Sequence, residues 1–444
     1  MNFYQDLEWR GLIGQTIGNV EELLKTPTTF YCGFDPTSIS KDNLNPKYPN
    51  ITSSLHIGHL LALITCKRFQ VNGHKPIMLV GGFTGLVGDG SFRTEDRKLL
   101  SVDEVANNTI CISEQIQHFI DFSNDKGIFV NNIDWLNSIS LLDFLRGIGK
   151  SVSLNYVISK DSVKNRLERE GCGISVCEAL YGPLQGFDFV HLNQKYGCKL
   201  SVNGTDQLGN ATYSSIIGRK MFGIEDNNFN VLAWPLVTKS DGSKFGKSMS
   251  GKCIWLNKHL TSPYEFYQFW YNQSDEDAEK FIKMFTLLSR EVIELLIEEH
   301  KEAPHLRKLQ KALAKEVTTM VHSEEECQLA IEASNVLFGD ASIDTLEKLD
   351  EMTMLSVFDG CPIFEIEKSV ISGDGIKLLE LAVEHAPVFK SKGELRKLIQ
   401  NGGISINKTK INDTDLVITQ SDIINDKFLI IQQGKKKYNL IKLY

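Results

Sequence analysis

Hydrophobic residues in the first half of the chain recur at two spacings, one helical and one strand-like. Helical spacing covers residues 1–25, a stretch that begins at residue 56, and most of residues 102–200. Short apolar runs typical of buried strands lie at 28–32, 76–80, 200–204 and 229–234. Strand, glycine loop, helix and strand in succession are typical of a parallel α/β sheet, so we predict such a sheet with a helical insertion.

The second half of the chain changes character twice. Residues 262–337 have a helical pattern with charged faces, whereas residues 340–373 are acidic, contain Asp and Gly, and indicate a linker. Residues 374–444 begin as a helix and continue, after the glycines at 402–403, as short alternating strands. The pattern therefore predicts a helical region, a linker and a small α+β domain.

Composition narrows the class of protein. A length of 444 residues is enough for two to four domains, and 42% hydrophobic with 23% charged residues is typical of globular proteins. The net charge of −8 argues against a general nucleic-acid coat. Residues 374–444, however, hold 12 Lys and Arg against 8 Asp and Glu, a net charge of +4 that leaves room for a local basic patch.

The cysteines and the termini bear on location. Nine scattered cysteines suit a reducing compartment, and Cys172 and Cys177 lack a second pair at zinc-ligand spacing, so we predict no tightly bound metal. No apolar run has the length of a membrane span, and the acidic N-terminus differs from a targeting peptide. We therefore predict a cytoplasmic protein without membrane contact.

Two motifs suggest chemistry on phosphates. His56-Ile57-Gly58-His59 places two imidazoles on one face at the start of a helix, where free N–H groups favour anions. Lys244-Phe245-Gly246-Lys247-Ser248 is a basic glycine loop able to close on phosphates. Each motif alone is more often a structural helix start or a solvated turn, but in this order they suggest two halves of one ATP site.

Further polar stretches are candidates for a substrate pocket. Residues 81–90 are rich in glycine but match neither the dinucleotide nor the P-loop spacing, so a structural turn is as good an interpretation as a site. Asp89 in this stretch is a candidate partner for a ligand ammonium. The remaining candidates are Tyr181, Gln185 and Asp188, on one face of an otherwise apolar helix, and the polar loop 204–210, which follows a strand.

In their joint order, these stretches and Tyr31–Thr37 resemble the bacterial-type tyrosyl-tRNA synthetases, which are class I aminoacyl-tRNA synthetases. The resemblance includes residues 262–270 and residues 391–403, the latter similar to an S4-type RNA-binding module. It implies a Rossmann-like parallel-sheet catalytic domain with a helical insertion, then an α-helical domain and a small α+β S4-like domain. The implied ranges are 1–252 for the catalytic domain (insertion about 115–200, Lys loop 238–250), 253–340 for a helical anticodon-binding domain, 341–373 for a linker and 374–444 for the S4-like domain.

The resemblance also implies an activity, tyrosine–tRNA ligation. ATP activates L-tyrosine to tyrosyl-adenylate with release of pyrophosphate, and tyrosine then passes to the 3′ end of tRNA(Tyr). The residues implied to bind tyrosine are Tyr31 and Asp188 at the phenol hydroxyl, Asp89, Tyr181 and Gln185 at the ammonium, and Gln207 at the carboxylate.

The ATP side of the site is implied in the same way. Cys32, Gly204 and Asp206 are expected at the ribose, and Gly33, Asp35 and Gly58 beside the adenylate. The residues expected at the phosphates are Thr37, His56, His59, Lys244, Lys247, Ser248, Arg93 and Arg97. Mg²⁺ is expected to accompany ATP, and a homodimer is expected, with its interface near residues 115–190.

The chain departs from the family pattern in three places. Residues 38–53 form an insertion before the paired histidines, beside the expected ATP site. Gly90 and Phe92 replace an expected Pro and Gly, and Leu208 stands where Trp is usual. None of these changes removes a charged or hydrogen-bonding group assigned to chemistry, so we expect them to affect affinity more than activity.

Three other hypotheses compete with this one. The same scaffold charging another aromatic amino acid is the nearest, but an indole or phenyl ring satisfies neither Tyr31 nor Asp188. An RNA-binding protein that has lost the chemistry need not keep both the histidine pair and the Lys loop. A small-molecule adenylyltransferase has no need of the helical region or of the basic C-terminal domain.

Overall fold

The computed structural model describes residues 2–39, 44–89, 99–160, 163–164, 167, 173–242, 245–246, 251–338, 343–434 and 437–444. Two units account for the chain: residues 1–261 with 272–317, and residues 262–271 with 318–444. The predicted helical domain, 253–340, is therefore divided between the units. The sequence pattern records each helix's apolar face but not the partner that covers it, so it does not fix this division.

A six-stranded sheet organises the first unit. Its strands are β1 Gln15–Ile17, β2 Thr29–Phe34, β3 Lys75–Val80, β4 Ile128–Asn131, β5 Leu200–Gly204 and β6 Asn230–Trp234. They lie in the order β1-β6-β5-β2-β3-β4, with β1 antiparallel to β6 and all other neighbours parallel. The central strands are almost entirely buried, which explains their continuous apolar sequences and confirms the predicted parallel α/β sheet.

The predicted helical region after residue 262 and the helical insertion are confirmed by the described helices. In chain order the helices are α1 Phe3–Trp9, α2 Val20–Leu23, α3 Ile57–Val71, α4 Thr84–Val87, α5 Val102–Phe119, α6 Ile133–Leu136, α7 Leu141–Phe144, α8 Leu154–Ile158, α9 Val176–Tyr196, α10 Leu208–Ala211, α11 Tyr213–Phe222, α12 Pro263–Tyr271, α13 Asp275–Phe285, α14 Arg290–Glu302, α15 Lys308–Val321, α16 Glu324–Phe338, α17 Ile343–Glu347, α18 Glu351–Val357, α19 Leu378–Glu380 and α20 Lys392–Gln400.

Helix α9 shows how local sequence sets the limits of an element. Ser175 accepts a hydrogen bond from the Glu178 backbone, and the Glu178 side chain returns to the Ser175 backbone, which together make a capping box. The helix ends at Gly197, whose φ of +66° is a left-handed conformation that glycine adopts without strain. These two caps fix the ends of the helix that carries Tyr181, Gln185 and Asp188.

Both edge strands of the sheet escaped prediction. Residues 1–25, predicted as one helix, form α1, β1 and α2, and the mostly helical stretch 102–200 contains β4. Strands β1 and β4 have three and four residues, too few for a pattern of alternation to stand out. They exist because a neighbouring strand supplies hydrogen bonds from a distant part of the sequence.

The second unit contains two small sheets. Its strands are β7 Ile363–Ile366, β8 Ile376–Lys377, β9 Ile404–Ile406, β10 Thr409–Lys410, β11 Val417–Ile418, β12 Phe428–Gln433 and β13 Lys437–Leu443. Five of them lie in the order β10-β9-β12-β13-β7, and β8 pairs with β11. Helix α20 packs its buried face, Leu395 and Ile399, into the same apolar core as Ile404 and Ile431. The predicted small α+β domain is therefore present.

The predicted linker over 341–373 is wrong for its described part. Helices α17 and α18 fall in this range, and β7 extends the larger sheet through parallel pairing with β13. Leu346, Met354 and Phe358 are completely buried. The acidic and glycine residues suggested a linker, but Glu347, Asp350, Asp359 and Gly360 occupy exposed positions around these apolar residues.

Candidate active site

A cavity of about 730 Å³ opens at the carboxyl ends of the parallel strands in the first unit. The chain runs outward from β2 to β3 and β4, and returns through β5 on the other side of β2. Open α/β sheets bind ligands at this kind of reversal. Every predicted site residue that the structure describes lines this cavity: Tyr31, Cys32, Gly33, Asp35, Thr37, His56, Gly58, His59, Asp89, Tyr181, Gln185, Asp188, Gly204, Asp206 and Gln207.

Five predicted site residues lie outside the described part of the chain. They are Lys244, Lys247, Ser248, Arg93 and Arg97, and the departures Gly90 and Phe92 lie there as well. The assigned roles of all five stay predictions. Phe245 and Gly246 of the same loop are described, and Phe245 lines the cavity.

The two histidines form the N-terminal cap of α3. Nδ1 of His56 accepts a hydrogen bond from the Gly58 backbone at 3.0 Å, and Nδ1 of His59 accepts one from the His56 backbone at 3.2 Å. The ring centroids are 4.0 Å apart. Because Nδ1 is an acceptor in each ring, a neutral ring carries its proton on Nε2, which leaves one N–H donor per ring on the side away from the cap.

The electrostatic setting keeps both rings neutral. Burial lowers the pKa of His56, and burial together with the adjacent His56 ring lowers the pKa of His59 further below the usual range. At neutral pH the pair therefore offers two uncharged N–H donors at a helix N-terminus, where the backbone also favours anions.

Gly58 is required by this cap. A Cβ at position 58 would lie 2.7 Å from Cε1 of His56 and 2.9 Å from its Nδ1. The sequence suggested that Gly58 allows a ligand to approach the backbone. In the structure its immediate reason is that the His56 ring folds over it.

Asp188 lies at the closed end of the cavity and is 2% exposed. Trp135 donates from Nε1 to Oδ1 at 2.8 Å, and Asn132 donates from Nδ2 to Oδ2 at 3.0 Å. Burial raises the pKa of Asp188 to about 7, with a contribution from Asp35, against the lowering effect of these two hydrogen bonds. The carboxyl group is thus fixed in direction and titrates near neutral pH.

Tyr31, on β2, is also buried, and its ring packs against Phe189 with 4.9 Å between centroids. Its hydroxyl has no hydrogen-bond partner of normal geometry among the described residues. Burial raises the pKa of Tyr31. The side chain of Ser201, which lies close to the Tyr31 hydroxyl, partly opposes this rise. A buried hydroxyl without a partner is costly, so a ligand that pairs with it gains affinity.

A hydrogen-bonded chain connects the closed end to the middle of the cavity. Asn132 donates to Oγ1 of Thr84 at 3.1 Å, Thr84 donates to Oδ1 of Asp35 at 2.9 Å, and Tyr181 donates to Oδ2 of Asp35 at 2.8 Å. Gly81 lies beneath this chain, and a Cβ there would collide with both Asp35 and Thr84. Asp35 is therefore held by two hydroxyl donors from different elements.

A second network lies across the cavity. Asn210 donates to Gln185 at 3.0 Å and to Gln207 at 3.2 Å, and Gln207 in turn donates to Asp206 at 3.0 Å and to Asp89 at 3.3 Å. Predicted residues from helix α9, from the stretch 81–90 and from the loop after β5 thus meet through the side-chain amides of Asn210 and Gln207. The group combines carboxylates and amide oxygens, which are suitable acceptors for an ammonium group.

The residues at the open end are placed mainly by backbone contacts. Thr37 donates its N–H to the Asp35 carbonyl at 2.9 Å, which forms a tight turn directly after β2. Cys32 is buried on β2, and Gly204 ends β5 beside Asp206, where a side chain would collide with that carboxylate. The turn and the two strand ends line the same cavity as the histidines.

Sequence reasoning missed the residues that orient others. Thr84, Asn132, Trp135 and Asn210 were given no role, although Asn210 stands in the polar loop that was singled out. Asn132 follows an unpredicted edge strand, so its position at the carboxyl edge of the sheet was not visible. A polar residue directly after a correctly assigned β4 would have been the signal.

Comparisons with known proteins fit this geometry. The family model for tRNA synthetases class I (W and Y) matches residues 50–339, and the model for the tyrosine–tRNA ligase SYY-like C-terminal domain matches residues 354–441. The chain belongs to the class I aminoacyl-tRNA synthetases, in the family that comprises the tryptophan and tyrosine enzymes.

Within that family, the similarity extends along the whole chain to tyrosine–tRNA ligases. The chain is 48% identical to that of Bacteroides thetaiotaomicron over 446 residues, which cover 99% of each protein. It is 44% identical to that of Flavobacterium johnsoniae, with 100% of this chain and 99% of the relative covered. The truncated mitochondrial tyrosyl-tRNA synthetase of Aspergillus nidulans superposes with a TM-score of 0.65 at 28% identity, over 76% of this chain and 94% of that one. The predicted family and fold class are confirmed.

No described helix is long and apolar enough to span a membrane. Among the same residues, no group of three or more His, Cys, Asp or Glu side chains is arranged to hold a metal ion.

Proposed function

We propose that the residues of this cavity activate L-tyrosine with ATP and transfer it to the 3′ end of tRNA(Tyr). The chain acts as a tyrosine–tRNA ligase, and ATP is its substrate: 48% identity to such enzymes over the whole chain and the class I family match carry this conclusion. The structural observation that supports the residue roles is that the predicted side chains from β2, α3, α9 and the loop after β5 line one cavity.

In the first step the tyrosine carboxylate attacks the α-phosphorus of ATP. The bond from that phosphorus to the leaving oxygen breaks, tyrosyl-adenylate forms and pyrophosphate departs. The nucleophile belongs to the substrate, so the protein contributes position and charge stabilisation. Nε2–H of His56 and of His59, with Thr37, donate to the phosphates, and Lys244, Lys247, Ser248, Arg93 and Arg97 complete this set as predicted from the sequence.

The tyrosine side chain occupies the closed end. Its phenol hydroxyl donates to Asp188 and pairs with the unpartnered hydroxyl of Tyr31. Its ammonium lies among the acceptors of Asp89, Tyr181 and Gln185, and Gln207 faces the carboxylate. Phenylalanine would bring no hydroxyl to pair with Tyr31 or to donate a further hydrogen bond to the buried Asp188, which is why tyrosine is selected.

ATP extends from the middle of the cavity toward α3. Cys32, Gly33, Gly58, Asp206 and Gly204 border the nucleoside, with Asp35 beside the adenylate. The carboxylates of Asp35 and Asp206 already accept hydrogen bonds from hydroxyl and amide donors. This arrangement suits a Mg²⁺ ion that arrives bound to the ATP phosphates better than an ion held by protein ligands alone. A Mg²⁺ ion bound there would offset phosphate charge.

The second unit is proposed to bind tRNA. Residues 374–444 carry a net charge of +4 in a chain of net charge −8. Lys392, Arg396 and Lys397 are exposed along α20. Basic side chains on one helix neutralise phosphates, and anticodon contacts are assigned to the helices of 253–340.

A homodimer and a cytoplasmic location complete the proposal. Leu141, Leu142 and Leu145 are 75%, 62% and 56% exposed, and Leu154 and Val176 are 70% and 76% exposed. The exposure of these five large apolar side chains, all within 36 residues of the sequence, supports a protein partner along this stretch, inside the predicted range 115–190. A second copy of the chain is that partner.

Pyrophosphate–ATP exchange with tyrosine, phenylalanine or tryptophan tests the proposed function. We expect exchange with tyrosine alone. Equal exchange with tryptophan or phenylalanine would overturn the roles of Tyr31 and Asp188. Tight RNA binding without any exchange would instead indicate a binding protein that has lost the chemistry.

A further inference from the structure

We propose that the inserted segment 44–53, here called the brace, positions the two chain stretches that flank the phosphate end of the cavity. The inference rests on the proposed function, since it assigns the brace to the ATP side of that site. The brace is attached at two places: at its root, where Thr52 meets Asn108, and at its tip, where Asn45 and Tyr48 meet His259.

The root of the brace is fixed by a buried amide. Asn108 on α5 is 0% exposed. Its Nδ2 donates to Oγ of Ser38 at 2.8 Å and to the Pro36 carbonyl at 3.3 Å, and its Oδ1 accepts from the Thr52 hydroxyl at 2.6 Å. Both donors and the acceptor of the amide are thus used to join the outgoing and returning legs of the insertion.

The two legs also bond to each other beside the cavity. Ser53 donates from its hydroxyl to the Thr37 carbonyl at 2.6 Å, and Ile39 donates its N–H to the Thr52 carbonyl at 3.0 Å. Thr37 lines the cavity, and its own N–H is bonded to Asp35. The returning leg therefore restrains the loop that carries a proposed phosphate ligand.

The tip of the brace lies on residues that follow the Lys loop in sequence. Asn45 donates from Nδ2 to the His259 carbonyl at 2.8 Å, and Tyr48 stacks on the His259 ring with centroids 3.8 Å apart and planes at 27°. The Tyr48 backbone N–H bonds to the Asn45 carbonyl at 2.9 Å, so one turn presents both contacts. An aromatic stack with a hydrogen bond is a directional attachment rather than a loose contact.

The stretch held by the tip also holds the start of α3. Ile57 donates its N–H to the Ile254 carbonyl and Leu256 donates to the Leu55 carbonyl, each at 2.9 Å, and His56 lies opposite Trp255 in this pairing. Because the pairing places the cap that carries both histidines, a shift at His259 reaches the proposed phosphate donors. The brace thus closes a ring of contacts from Thr37 through Tyr48 and His259 to His56.

This arrangement gives the insertion a role that a plain surface loop lacks. A polar loop of this length gains little from ordering unless its contacts repay the lost entropy. Here the contacts converge on the two flanks of the phosphate end. We therefore expect loss of the tip contact to weaken ATP use and to leave tyrosine binding unchanged.

Steady-state pyrophosphate exchange with the full chain tests the brace. Tyr48→Ala removes the stack and should raise KM for ATP about 3- to 10-fold, while KM for tyrosine stays within about twofold. Tyr48→Phe keeps a stacking ring and should restore the wild-type KM for ATP. Lys47→Ala, an exposed neighbour on the same turn, is the matched control and should behave as wild type.

Several results would overturn the proposed role of the brace. An unchanged KM for ATP in Tyr48→Ala, with or without a lower melting temperature, would reduce the segment to a surface loop. An equal rise in both KM values would indicate a general loss of structure. If the wild-type chain shows no tyrosine-dependent exchange, the proposed function itself fails and the brace falls with it, whereas wild-type exchange with an unaffected Tyr48→Ala removes the brace alone.

Discussion

The two ends of the cavity are built on different physical principles. At the closed end, Asp188 is buried and oriented by Trp135 and Asn132, while the hydroxyl of Tyr31 has no hydrogen-bond partner of normal geometry among the described residues. At the open end, His56 and His59 are half-buried, and their ring nitrogens cap a helix. The closed end therefore suits one particular side chain, whereas the open end groups hydrogen-bond donors that suit an anion.

This difference suggests how selectivity and catalysis are separated. A buried group without its partner penalises the wrong amino acid strongly, because no water replaces the missing hydrogen bond. Donors at a helix N-terminus accelerate the reaction if they bond better as charge develops on the phosphates. Changes at the closed end should therefore act on tyrosine recognition, and changes at the open end on the rate of activation.

The largest effect is expected from Asp188→Ala. The phenol loses its acceptor, and Trp135 and Asn132 lose theirs, so kcat/KM for tyrosine in exchange should fall at least about 10³-fold. The preference for tyrosine over phenylalanine, which is about 10⁵ in known enzymes of this type, should also collapse. Kinetics with both amino acids measure this. Unchanged discrimination would move the specificity determinant elsewhere.

The second-largest effect is expected from the loss of one proposed phosphate donor at the open end. His56→Ala should lower kcat of activation about 10²- to 10³-fold, the usual range for one transition-state donor, with KM for tyrosine within about twofold. His56→Asn separates the two roles of the ring, since asparagine is a good N-cap. We expect it to keep the melting temperature but not the rate, and recovery of the rate would make His56 a structural cap only.

A milder change, Trp135→Phe, tests how the closed end orients Asp188. Trp135→Phe removes the donor to Asp188 but keeps an aromatic ring against His191, whose centroid lies 4.4 Å from that of Trp135. The lost hydrogen bond to a charged group should raise KM for tyrosine by about 10-fold, with little change in KM for ATP. A rise confined to ATP would contradict the separation of the two ends.

The last prediction is a pH dependence of tyrosine binding, which should be no larger than the effect of Trp135→Phe. With the pKa of Asp188 raised to about 7, roughly a tenth of the free protein has the ionised carboxylate at pH 6 and about nine-tenths at pH 8. If the phenol requires the carboxylate, the dissociation constant of tyrosine should fall about 10-fold from pH 6 to pH 8. Equilibrium titration measures it, and Asp188→Asn should abolish the slope.

The central part of the fold was predictable from the sequence, and its margins were not. Strands β2, β3, β5 and β6 are buried on both faces, so their apolar runs stand out. Strands β1 and β4 are short and lie at the edges. The segment 341–373 looks like a linker because it is acidic and contains Asp and Gly, and only the finished core shows that its apolar residues meet.

The site shows the same division. His56, Tyr181, Asp188 and Gln207 stand in recognisable motifs, and the structure brings them to one cavity. Asn132 and Trp135 have no motif, since their role depends on a partner more than fifty residues away. Asn108 likewise matters only because the two legs of the insertion return to it.

The sequence by itself determined the family, the reaction and the residue types proposed to face tyrosine and ATP, because the chemistry of those substrates demands particular groups at particular spacings. Tertiary structure alone decided which way those groups are held. The tautomer of the histidines, the raised pKa of Asp188 and the attachment of the brace all depend on burial and on hydrogen bonds between distant residues. Local sequence carries no record of such contacts, since each arises only when separate elements pack together.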